Sequence, residues 1–153
     1  MDDNQDVLDW LAAQADRVVD TPAARVALIG DRAFKLKKAV DFGFLDFSTP
    51  ERRRWATERE LAFNREGAPE LYRAVRSVTR EAGGELAFDG AGERVECVLE
   101  MRRFPDDAVL ANSPERLDGD LAEALGRTVA RAHAASTPDP GAGGPEALAY
   151  TVV

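Results

Sequence analysis

One cysteine and one histidine in 153 residues exclude several chemistries at once. A single thiol, Cys97, closes no intrachain disulfide and builds no multi-cysteine metal site. Its place in the apolar run VECVLEM marks it as a small core residue. The histidine, His133, has no cysteine or serine partner at suggestive spacing, so it reads as a packing residue rather than a catalytic one. No apolar run approaches the roughly 20 residues that cross a bilayer. The acidic start MDDNQD also lacks the basic region of a signal peptide. A cytoplasmic chain without membrane contact is expected. Internal repeats, a GxxxxGKS/T loop, HExxH and Gly-x-Ser-x-Gly do not occur in the sequence.

Against these absences stands enough apolar content, 44%, to bury one core. The net charge of −8 argues against generic binding to nucleic acid. Its distribution is uneven. Residues 32–59 carry eight basic side chains (Arg32, Lys35, Lys37, Lys38, Arg52, Arg53, Arg54, Arg59) against four acidic ones (Asp41, Asp46, Glu51, Glu58), which leaves −12 for the rest of the chain. A local basic excess in an acidic chain suits a small anionic ligand better than a polymer, the alternative being solvated surface charge.

Helical spacing of Val7, Leu8, Leu11, Ala12 and Ala15 predicts a helix over 6–18, ended by Thr21-Pro22. Arg25–Ile29, the turn Gly30-Asp31-Arg32 and the alternating Ala33–Val40 predict a hairpin. In its second strand Phe34 and Leu36 share one face, and Ala33, Lys35 and Lys37 the other. Two lysines there need an anionic partner or open water. Asp41–Phe47 reads as an ordered loop with Phe42, Phe44 and Phe47 packed beneath it.

Ser48-Thr49-Pro50-Glu51 signals the next helix start, offering Ser48 with Glu51 as a capping box and Thr49 with Pro50 at the first helical position. The helix should run to about Arg65. On it Ala56, Glu60 and Phe63 form a stripe beside Trp55 and Leu61, so Glu60 sits among apolar neighbours and calls for a lysine on the adjoining strand. Strands are predicted at 71–79, 85–88 and 95–101, followed by a helical region from Ser113-Pro114 with the stripe Leu121, Ala124, Leu125, Thr128, Val129, Ala132 and Ala135. The expected fold is α+β: about five mostly antiparallel strands with an inserted helix over 1–104, a linker and further helix over 105–137, and a linker-like stretch from 138. The apolar segment at 147–153 opens an element rather than finishing one, so the sequence reads as the N-terminal part of a longer chain.

A lysine-bearing hairpin, a helix with a glutamate and three further strands follow the layout of a kinase-like small lobe. Four stretches also resemble the aminoglycoside-phosphotransferase-like half of a bacterial two-part family, in which that domain precedes a P-loop ATP-binding kinase domain. They are Val26–Lys38 (VALIGDRAFKLKK), Phe44–Arg53 (FLDFSTPERR), Glu60–Arg65 (ELAFNR) with Ala68–Tyr72 (APELY), and Val98–Phe104 (VLEMRRF). Together they cover about half the chain.

The resemblance implies an ATP-dependent transfer of a phosphoryl group to a hydroxyl of a small-molecule acceptor, with Mg²⁺. Ala33-Phe34-Lys35 matches the strand whose lysine holds the nucleotide phosphates, with Lys37 as the second candidate. Glu60 matches the helix glutamate that pairs with it, with Glu58 the weaker choice. Glu100, Met101, Arg102 and Arg103 match the segment whose backbone bonds adenine, and the helix carrying His133 matches the first helix of a large lobe. The His-Gly-Asp-type catalytic loop and the later magnesium-binding aspartate of such folds do not occur within the 153 residues. Two other expectations stay open: a non-catalytic kinase-like binding module, and an unrelated α+β domain.

Overall fold

Residues 4–138 are described by the computed structural model, so the expected renewed element near the C-terminus lies outside them. The chain divides into two compact units, residues 1–103 and 104–153. In the first, α1 (Gln5–Ala13) precedes β1 (Arg17–Asp20), β2 (Ala24–Ile29) and β3 (Arg32–Lys37). Helix α2 (Pro50–Gly67) then leads to β4 (Tyr72–Arg80), β5 (Leu86–Phe88) and β6 (Glu93–Arg102). The strands form one sheet of order β1-β2-β3-β6-β4-β5, with antiparallel pairing throughout.

The sheet therefore has six strands where five were expected. The extra strand, β1, takes in Arg17 and Val18 from the end of the stretch assigned to the first helix, which stops at Ala13. Val18 and Val19 are β-branched and favour extended backbone, and they lie opposite Ala27 and Val26 on the edge of β2. The β2–β3 hairpin follows the expected pattern, with Gly30 at φ +57° in a two-residue turn.

Alternation along β3 sends its residues to two different environments. Phe34 and Leu36 join Val7, Leu8 and Leu11 of α1, with Ala27, Val78 and Val98, in the buried core. Phe34 stacks on Phe88 at 4.9 Å, and Trp10 tilts against the same ring at 4.8 Å. Cys97 is buried as expected, and burial first, then the nearby Glu96 charge, pushes its thiol up to about 11.

Helix α2 is capped by Thr49, whose hydroxyl accepts from the Arg52 N–H, with Pro50 in the first turn. Ser48 makes no capping box, because its N–H and hydroxyl both donate to Asp46. The stripe expected to face inward does so only in part: Ala56, Glu60 and Leu61 are partly buried, but Trp55 is 66% and Phe63 77% exposed. The inward stripe is Arg53, Ala56, Thr57, Glu60, Leu61 and Asn64, spaced as one helical face and mostly polar. Ion pairing, not apolar area, decides which side of α2 meets the sheet. Arg53, fully buried, donates through Nε to Glu96 Oε1 and through Nη1 to the Phe47 carbonyl at 2.9 Å. Asn4, buried ahead of α1, donates from one amide nitrogen to Glu96 at 3.0 Å and to the Lys37 carbonyl at 2.8 Å.

Of the three loop phenylalanines only Phe47 packs. A bridge between Asp41 and Asp46 closes the loop on itself, leaving Phe42 and Phe44 exposed and stacked at 6.1 Å. In the second unit, three single 3₁₀ turns (Asp106–Ala108, Leu110–Asn112 and Pro114–Arg116) precede α3 (Gly119–Ala135). That helix starts five residues later than Pro114 because Asp118, not Ser113, caps it, accepting from the Leu121 N–H at 2.8 Å. Its stripe residues Leu125 and Val129 are exposed, and so is His133, where packing was expected.

Removing one member of a buried ion pair strands the other charge at a cost of about 3–5 kcal/mol, whereas removing both can be neutral. Arg53→Met is therefore expected to lower the urea-unfolding free energy by about 3 kcal/mol. Arg53→Met/Glu96→Leu should recover most of that loss; a double variant no more stable than the single would show that the pair does not hold α2.

Candidate functional site

On the α2 side of the sheet, β3 presents Lys35 and Lys37 two residues apart, on the face opposite Phe34 and Leu36. Seven residues after Arg53, Glu60 lies on the same side of α2. Its two carboxylate oxygens go to different lysines: Lys35 Nζ donates to Oε1 at 2.7 Å and Lys37 Nζ to Oε2 at 2.7 Å. The sequence expectation of a lysine partner for Glu60 thus holds, with a second lysine added.

The two lysines are not equivalent. The side chain of Lys37 is 8% exposed and its ammonium lies 4.8 Å from the centroid of the buried Phe47 ring. That of Lys35 is 31% exposed. An ammonium has three donors, and Glu60 is the side-chain partner of Lys35 among the described residues. Lys35 thus keeps donors for a further acceptor on its open side, and Lys37 is enclosed.

Burial raises the Glu60 carboxyl, but hydrogen bonds from Lys35 and Lys37, with their charges, outweigh it and hold the group below its ordinary 4.5. Glu96 goes the other way: burial pushes its carboxyl up despite the Arg53 guanidinium, the Cys97 N–H and Asn4. Glu58 faces outward and is tied to Arg54 at 2.7 Å, so it is not the partner of Lys35.

Glu100, Met101 and Arg102 lie at the end of β6, between β3 and β4. The Glu100 carboxylate is buried and meets Arg76 at 2.8 Å, Arg73 at 3.7 Å and Arg32 at 3.9 Å. The Arg102 N–H donates to the Leu71 carbonyl and the Arg103 N–H to the Asp31 carbonyl, both at 2.8 Å, so these two donors are spent within the sheet. The Gly30 N–H is likewise taken, by Asp16 at 2.9 Å.

Four more of the eight basic side chains at 32–59 are tied to carboxylates: Arg52 to Asp46, Arg53 to Glu96, Arg54 to Glu58 and Lys38 to Asp20. The roles of Arg53, Glu96, Asn4 and Phe47 were missed. The signal for Arg53 was its seven-residue spacing from Glu60, hidden inside the run Arg52-Arg53-Arg54. Nothing in the sequence marked the contact of Asn4 with residues 33 and 92 positions away.

Comparison with known proteins gives little beyond this geometry. The chain is 35% identical over 119 residues to an uncharacterized protein of Mycobacterium bovis and to two of Mycobacterium tuberculosis. The matched region is 76% of this chain, and it spans only 22% of the length of each relative. No family model matches, and no solved structure matches. No helix among the described residues is long and apolar enough to cross a membrane.

A carboxyl held below its ordinary value contributes stability that is complete above that value and is lost as pH falls through the folded-state value. The difference in unfolding free energy between the native chain and Glu60→Gln is therefore expected to be constant near neutrality and to shrink from about pH 5 to pH 3. Glu96, shifted the other way, is present in both proteins and cancels in that difference. A gap that widened on acidification would contradict the ion-pair geometry at Glu60.

Proposed function

We propose that residues 1–103 form the nucleotide-binding small lobe of an aminoglycoside-phosphotransferase-like kinase, with Lys35 as the lysine that meets the ATP phosphates and Glu60 as the residue that holds it. The observation that carries this reading is the surplus charge of the Lys35–Glu60–Lys37 cluster. Two ammonium groups share one carboxylate at 2.7 Å each, which leaves one positive charge over. The enclosed Lys37 needs the carboxylate, because an uncompensated buried charge is costly. The surplus therefore resides on the more open Lys35, where an anionic oxygen would meet free N–H donors.

Such a cation fits a phosphate group. The fit to magnesium is poor: among the described residues no group of three or more His, Cys, Asp or Glu is placed to hold a metal ion. The proposal accordingly assigns no metal ligand and no transfer step to these residues. Bound ATP would supply the phosphoryl group; what this chain contributes is the orientation and charge compensation of its phosphates. The reading rests on Lys35 and Glu60 rather than on 100–103, where the Arg102 and Arg103 N–H groups are already committed. The small-molecule acceptor and a following P-loop domain belong to the whole protein in this proposal, in keeping with the cytoplasmic expectation. A second reading is a non-catalytic module that binds an anion with the same cluster, and it rests on the same surplus charge at Lys35.

One charge-assisted hydrogen bond contributes about 1.5–3 kcal/mol, so affinity no tighter than about 5 mM is expected for this chain alone. Amide chemical shifts followed during titration with ATP and magnesium should move for residues around β3. Lys35→Ala should weaken binding by tenfold or more, about 1.4 kcal/mol, and more than Lys37→Ala does. Equal binding by the native chain and both variants would sink the clamp.

A further inference from the structure

The two-lysine arrangement goes further than a single lysine–glutamate pair requires. From it we infer that Lys37 is a positioning residue for the proposed clamp. By occupying Oε2 of Glu60 from an enclosed seat against Phe47, it keeps that carboxylate on the sheet and lets Lys35 turn toward a phosphate. The inference rests on the reading of Lys35 as the phosphate-binding lysine.

Lys37 is built in from several directions. Its ammonium meets Glu60 at 2.7 Å and the Phe47 ring at 4.8 Å, and its carbonyl accepts from Asn4 at 2.8 Å. Phe47 is itself fixed: its carbonyl accepts from Arg53 Nη1 at 2.9 Å, and its N–H donates to the Val40 carbonyl at 2.8 Å. No comparable enclosure surrounds Lys35, whose side chain is 31% exposed. With Lys35 alone, any anion that drew the ammonium away would leave a half-buried glutamate without a counter-charge. Lys37 removes that conflict, because it stays when Lys35 moves. Lys35 is thereby shared between Glu60 and a ligand rather than captured by Glu60.

The consequence is opposite in sign to that of a purely structural contact. Loss of a structural contact loosens its neighbours, whereas loss of Lys37 should tighten the hold of Glu60 on Lys35. Acylation of Lys35 by a limiting amount of an N-hydroxysuccinimide ester, read by peptide mass spectrometry, reports that hold without any nucleotide. In Lys37→Met the rate at Lys35 is expected to fall about fivefold, which corresponds to about 1 kcal/mol. Lys37→Arg, which keeps the charge, should label as the native chain does. ATP affinity should follow the same order, about fivefold weaker for Lys37→Met and within about twofold for Lys37→Arg.

An unchanged or faster labelling rate in Lys37→Met would overturn the inference. Where that variant folds poorly, Lys37→Gln, which keeps a polar end without the charge, carries the test: it should label Lys35 more slowly than the native chain, and equal or faster labelling would overturn the inference. A native chain that binds no ATP would overturn the phosphate reading itself. Native binding matched by Lys37→Met would overturn the role of Lys37 alone.

Discussion

The placement of α2 depends on charge pairs at two points, and the rest of the first unit is arranged around them. Arg53 meets Glu96 at the start of the helix, and Glu60 meets Lys35 and Lys37 two turns later. Most of the inward stripe is polar, and two of the helix's three aromatic or large apolar side chains, Trp55 and Phe63, lie outside it and are exposed. Hydrophobic burial alone would turn those rings inward. Buried ion pairs are weak evidence of stability, since desolvation offsets most of their attraction. They are stronger evidence of specificity. Turning α2 by one residue, about 100°, would bring Arg59 or Leu61 to the lysines and leave them without a carboxylate.

The sheet supplies the stiffness that such pairs need. Along β3, Phe34 and Leu36 are locked into the core with α1, while the intervening Lys35 and the following Lys37 reach Glu60. The α1 core thus positions the polar cluster from the far side of the same strand. Asn4 strengthens the connection, because it joins the start of α1 to the Lys37 carbonyl, to Glu96 and to the Ala39 N–H. A disturbance of α1 would reach the lysines through backbone and hydrogen bonds rather than by direct contact.

Much of this was legible in the sequence where pattern and local chemistry agreed. The hairpin, its two faces, the Thr49-Pro50 helix start and the pairing of Lys35 with Glu60 follow from period-two alternation, capping preference and the cost of an unpaired carboxylate. The misreadings of β1 and of the inward face of α2 share one cause: local pattern was overruled by partners distant in sequence. Arg17-Val18 looked like the end of a helix until the β2 edge was there to pair with it. Helix α2 was given its most apolar face, yet its orientation was set by Glu96, Lys35 and Lys37. A stripe of mixed polar residues becomes an inward face only once the complementary charges are known to lie opposite.

The site also limits what the described residues can do alone. A lysine held by a carboxylate provides charge and orientation, both of which act equally on a bound ground state unless something else develops charge beside them. Binding that is uniform along a reaction lowers no barrier. Under the proposed reading, acceleration would have to come from groups that contact the transferring phosphoryl group and the attacking hydroxyl. None has been assigned among residues 4–138. The relatives, of whose length the matched region is 22%, have room for such groups outside it. Under that reading the Lys35–Glu60–Lys37 cluster would set where a phosphate rests, and the chemistry would depend on what is brought to that point.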